Sequence, residues 1–188
     1  MNIKSMPKIC LVAAMMMSAS AFSASTVTFQ GEVTAQTCSI SINSTTNAIV
    51  MMPTIPLSAL YTASTTTTAV GNSEGLTPFT ISVTGCISSA SALTMYPEFL
   101  GTSVDTTTFA LGNTATTDAA TGVGIALYSD ATGTSQIDLN GVTRGAAMTL
   151  AANATSASAT YSAKYMATST TTTAGKVIGV AQYTINYL

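Results

Sequence analysis

Apolar and polar residues alternate in short runs along most of this chain, and no run beyond the leader-like start has a 3.6-residue apolar period. Side chains that alternate between two faces belong to strands. Strand-like runs occupy residues 27–35, 38–42, 48–52, 78–86, 92–96, 124–128, 147–150, 160–166 and 176–188. Thr/Ser-rich tracts at 64–69 and 169–174 separate some of them and read as loops. Pro53 and Pro56 demand a sheet edge or a crossing between sheets. Residues 57–61 suit one short helical turn. Many short strands with frequent turn signals predict an all-β sandwich built as one domain.

Residues 1–21 stand apart. Lys4 and Lys8 precede an apolar run over 9–17, and small residues end it at A-S-A (19–21). This is the order of a secretory signal peptide, with cleavage after Ala21 or as late as Ala24. The apolar run is too short to span a bilayer. Removing the leader leaves Arg144, Lys164 and Lys176 against seven acids, a net charge of −4. Three cations cannot track a phosphate backbone, so no nucleic acid partner is expected. Only 6% of residues are charged, against roughly 25% in ordinary soluble domains. A surface of hydroxyls and methyls suits a protein packed against copies of itself.

Cys10 leaves with the leader. Cys38 and Cys86 remain, an even pair in an exported chain, and a disulfide between them is expected. Two buried free thiols are the alternative. Catalytic chemistry finds no residues. The chain has no histidine, which excludes a Ser–His–Asp triad, and two cysteines without histidine do not make a usual zinc site. Glu32, Glu74, Glu98, Asp105, Asp118, Asp130 and Asp138 fall in no recognisable motif. Residues 130–138 (D-A-T-G-T-S-Q-I-D) look superficially like a calcium loop but lack the ligand spacing, and read as a polar hairpin loop. Residues 122–124 (G-V-G) lack the rest of a phosphate loop. Asn43 and Asn153 match the glycosylation acceptor, as chance allows in a Thr/Ser-rich chain. No catalytic residue, metal or cofactor is expected.

Both ends are patterned. Near the start, S-T-V-T-F-Q-G-E-V-T-A-Q-T-C (25–38) alternates, with Gly31 leaving a gap in the apolar face. At the end, G-K-V-I-G-V-A-Q-Y-T-I-N-Y-L (175–188) places Val177, Gly179, Ala181, Tyr183, Ile185 and Tyr187 on one face. Val180, Gln182, Thr184, Asn186 and Leu188 fall on the other. A strand of that length should pair on both edges, and no later segment supplies the second neighbour.

The leader, G-E-V-T-A-Q-T-C (31–38), the Cys38/Cys86 pair, G-L-T-P-F-T-I-S-V-T-G-C (75–86) and the terminal pattern together resemble a fimbrial subunit of the chaperone–usher pathway. Tyr187 as penultimate residue and Gly175 as fourteenth from the end match that family's C-terminal motif. A-Q-T-C and G-L-T-P-F most resemble the major pilins of F17-type fimbriae. The resemblance implies an incomplete immunoglobulin-like sandwich that lacks its final strand. A periplasmic chaperone lends a strand first. The N-terminal extension of another subunit, copies of this chain included, then replaces it at an outer-membrane usher. Carried onto this sequence, residues 22–36 are the donor extension and 37–188 the pilin domain. Val27, Phe29, Gly31 and Val33 are the donor side chains. Gly175, Val177, Gly179, Ala181, Tyr183, Ile185, Tyr187 and Leu188 line the groove. The protein is then expected to travel through the periplasm to a fimbria on the cell surface, as a structural subunit that supports adhesion. A minor or tip subunit that binds a host glycan is the alternative, and a secreted carbohydrate-binding module or enzyme is a third class. Residues 27–33 as an ordinary first strand of a complete sandwich is the plain reading of the N-terminal pattern.

Overall fold

The computed structural model describes residues 38–62 and 66–187. Among the described residues eight strands form: β1 (Ser39–Ile42), β2 (Ser73–Thr84), β3 (Leu93–Gly101), β4 (Val123–Tyr128), β5 (Val142–Arg144), β6 (Met148–Leu150), β7 (Ala157–Ala167) and β8 (Ala181–Tyr187). Leu57–Leu60 make a single 3-10 turn. One sheet has the order β1-β2-β7-β4, antiparallel throughout. In the other, β3 is central, with β8 along one edge and β5 and β6 sharing the opposite edge. This is the strand order of an immunoglobulin-like sandwich.

The core explains the alternation. Phe79, Ile81 and Val83 of β2 point inward, as do Met95 and Phe99 of β3. Tyr161 of β7 joins the sheets. Its ring lies 5.9 Å from that of Phe79 and 5.6 Å from that of Phe99, and its hydroxyl donates to the Ala146 carbonyl at 2.9 Å. Burial pushes the Tyr161 phenol up to about 12. Cys38 and Cys86 are disulfide-bonded with Cα atoms 4.2 Å apart. The bond closes the open end of the β1–β2 pair, beside Ser39↔Thr84.

Several elements differ from the sequence reading. β2 starts at Ser73, ahead of Pro78, and β3 continues through Pro97 to Gly101. Both prolines sit where no N–H is required. Thr80 bonds with Asn43 on the β1 side, so Pro78, two residues earlier, faces that side where β1 has ended. Pro97 turns its carbonyl to Gly145, in the break between β5 and β6. The pattern predicts no strand at β5, which is three residues long, with Val142 and Arg144 exposed and little alternation to read. Residues 48–52 alternate, with Ala48, Val50 and Met52 half-buried while Ile49 and Met51 are 83% and 80% exposed. They nevertheless join neither sheet. The strand expected over 176–188 is a ladder only at Ala181–Tyr187.

Candidate subunit-binding groove

Among the described residues, strand β8 has one neighbour. Its register with β3 runs from Ala181↔Gly101 to Tyr187↔Met95. The Thr102 N–H donates to the Val180 carbonyl at 2.9 Å, which fixes which residues bond inward along the pair. In an antiparallel ladder these alternate. Gln182, Thr184 and Asn186 therefore turn their backbone groups toward β3. Ala181, Tyr183, Ile185 and Tyr187 turn theirs to the outer edge, where no described residue pairs with them.

The same alternation governs 175–180. Lys176 donates from its N–H to the Asp118 carbonyl and accepts from Ala120, and the Ile178 carbonyl accepts from Thr114. Val177 and Gly179 thus face the same way as the odd residues of β8. Gly175 lies so close to the Asp118–Ala120 backbone that a Cβ would meet Asp118 O at 2.5 Å and Ala119 C at 2.6 Å.

The side chains of this edge are only half-buried, although they reach the core. Val177 packs on Leu60, Ala120, Val123 and Ala167. Ala181 and Tyr183 pack on the cluster around Phe79, Phe99 and Tyr161. Ile185 and Tyr187 pack on Val83, Met95, Met148 and Leu150. Burial pushes the Tyr187 phenol up, and a hydrogen bond with the Cys38 backbone works against this.

Residues 46–55 form the opposite wall. No backbone–backbone hydrogen bond ties them to any described residue. Their inward side chains Ala48, Val50 and Met52 rest on the central core. The Tyr183 hydroxyl donates to the Thr46 carbonyl at 2.6 Å. Cys38 lies by Tyr187, Thr46 by Tyr183, and Ile55 shares a cleft of about 440 Å³ with Val177. The two walls run antiparallel. Val177 to Tyr187 is a groove of roughly 33 Å at ~3.3 Å per extended residue. Two edges that no described residue pairs with, over an apolar floor, can accept an extended segment of about ten residues.

The fimbrial protein family matches residues 27–188. This chain belongs to that family. It is 35% identical over 166 residues to the F17 fimbrial protein of Escherichia coli, covering 86% of each chain. It is 36% identical over 167 residues to the major fimbrial subunit SMF-1 of Stenotrophomonas maltophilia, covering 86% of this chain and 91% of that one. Among solved structures it is similar to the CupB6 tip adhesin of Pseudomonas aeruginosa, with 20% identity and a TM-score of 0.46 over 62% of this chain. It spans about a third of that protein, 32% of its length. The chain is a structural subunit of a fimbria, an assembly of such subunits exposed at the cell surface. The tip-adhesin alternative gains nothing from its closely matching relatives.

Of the residues expected to act in this fimbrial subunit, Val27, Phe29, Gly31, Val33 and Leu188 lie outside the described residues, as does the leader. The structure brings Val177, Gly179, Ala181, Tyr183, Ile185 and Tyr187 onto one half-buried face, with Gly175 behind it against 118–120. The opposing wall, Ala48, Val50 and Met52, carries in sequence only the alternation of a strand and nothing that marks a site. In the 130–138 segment, residues 130–135 form a polar loop closed by the Tyr128↔Gln136 bridge, while Ile137 is buried in the central core. The Asp130 carboxylate accepts from the Thr132 hydroxyl at 2.6 Å and the Ser135 N–H at 2.6 Å. These bonds, that of Thr132 first, hold the Asp130 carboxyl far below its usual range. No group of three potential metal ligands occurs among the described residues.

Proposed function

We propose that this fimbrial subunit polymerises by strand donation. Residues 22–36 of one copy lie between 46–55 and β8 of another, with Val27, Phe29, Gly31 and Val33 turned to the core. The observation that carries the reading is the groove edge. Val177 to Tyr187 offer along one line half-buried side chains and backbone groups that no described residue pairs with. Burying each large apolar donor side chain contributes ~1.5–3 kcal/mol. Each added ladder bond contributes ~0.5–1.5 kcal/mol. Several of each make a joint that opens very slowly. Gly31 fits a shallow part of the floor where bulk is excluded.

Residues 1–21 direct export. In the periplasm a chaperone lends a strand to the same groove and holds the subunit until an outer-membrane usher passes it to its neighbour. The role is structural, without catalysis, and supports adhesion through the fimbria. Deleting residues 25–33 in cells that carry the pathway separates donor from acceptor. The shortened subunit is expected to co-purify with the chaperone and to yield no fimbriae. Normal-length fimbriae made from it alone would remove the donor assignment.

A further inference from the structure

Strand β3 ends at Gly101, yet the odd residues keep facing the groove as far back as Val177. Past Thr102, the carboxamide of Asn113 takes a large part in holding the segment. Its Oδ1 accepts from the Ile178 N–H at 2.9 Å and from the Ala115 N–H at 3.0 Å. Its Nδ2 donates to the Lys176 carbonyl at 2.7 Å and to the Ala120 carbonyl at 2.8 Å. All four hydrogen-bonding positions of the side chain are filled. One acceptor and one donor, aimed at Ile178 N–H and Lys176 C=O, are what a neighbouring strand residue would present. Thr114 adds its N–H and hydroxyl to the Ile178 carbonyl, at 2.8 and 3.0 Å.

We infer that Asn113 is a positioning residue for the acceptor groove: its carboxamide stands in for a strand rung and extends the edge offered to an incoming strand from Ala181 back to Val177. This rests on the strand-donation reading. The bonds also fix Lys176 and Ile178 on either side of Val177, which lines the cleft together with Ile55, Leu57 and Leu60. The exposed Lys176–Asp118 ion pair at 3.6 Å cannot replace them, because surface pairs of this kind contribute little.

The test is amide hydrogen exchange of the full chain with a synthetic peptide of residues 25–36 added. Wild type is compared with Asn113→Asp and Asn113→Ala. Asn113→Asp keeps the acceptor toward Ile178 and loses both donated bonds, so it reports even if the alanine variant does not fold. In wild type the peptide is expected to slow exchange at Val177, Gly179, Tyr183 and Ile185. In Asn113→Asp the slowing at Val177 and Gly179 should fall about tenfold while Tyr183 and Ile185 keep theirs. Unchanged slowing at Val177 and Gly179 overturns the role given to Asn113. So does a uniform loss along β8, which marks a merely structural residue. A peptide that slows nothing in wild-type β8 overturns strand donation itself.

Discussion

Replacing both Cys38 and Cys86 by serine is expected to cost about 4 kcal/mol, from the loop-entropy relation for a separation of 48 residues. Typical domains hold only ~5–15 kcal/mol in total. The loss should approach that figure here because little else secures the enclosed chain near its start. β1 has four residues and one neighbour among the described strands, and 46–55 have no backbone hydrogen bond to a described residue. The disulfide therefore holds the wall that faces β8, as well as β1 itself. Urea unfolding followed by circular dichroism checks this. The serine variant should unfold at a much lower midpoint, and the wild type should match it once a reductant is added. An unchanged midpoint would show that β1 is held by its ladder alone.

Gly175→Ala is expected to destabilise by ~2–3 kcal/mol, at the upper end for overpacking. The nearest atoms the added methyl meets are all backbone, from Asp118 to Ala120. That backbone cannot retreat without breaking its bonds with Lys176, because Lys176 N–H binds Asp118 and Ala120 N–H binds Lys176. Gly179→Ala offers the contrast. Its methyl would meet Leu111 Cβ and Cδ1 at 3.1 Å and Ile125 Cβ at 3.2 Å, contacts that need only a few tenths of an ångström of adjustment. Its cost should be about 1 kcal/mol. Thermal melts of the two variants should rank Gly175→Ala well below Gly179→Ala. Equal melting temperatures would mean that the 113–120 loop yields freely and that Gly175 is not a fixed point of the groove.

The period-2 pattern made the fold class legible, because both sheets of the sandwich bury one face and leave the other wet. It worked best for β1, β4 and β6, whose bounds fall within about one residue of those the pattern gives. It shortened β3 at Pro97, since a missing N–H looks like a strand end until the gap between β5 and β6 is seen to leave it unopposed. It missed β5, whose three residues are too few to show a period. At the groove the sequence was informative about faces and misleading about partners. Residues 177–187 alternate in burial as one continuous strand would, but only Ala181–Tyr187 pair with β3. The rest are kept extended by Asn113, Thr114 and the 118–120 backbone. A side chain that mimics a backbone rung across 63 to 65 residues of sequence leaves no periodic trace. Residues 48–52 show the converse. Their alternation is real, yet strand pairing needs a neighbour, and none of the described residues supplies one.

The most direct measurement of strand donation is cysteine trapping inside assembled fimbriae. Val27→Cys, Phe29→Cys or Val33→Cys is combined in one chain with Tyr183→Cys or Ile185→Cys, which covers the registers a donor strand can take. Paired residues on adjacent strands lie ~4.5–5.5 Å apart, within reach of a disulfide. Strand donation predicts that at least one combination gives a ladder of covalent multimers on a denaturing gel, collapsed to monomer by reductant. Fimbriae of normal length in which every combination stays monomeric would contradict it.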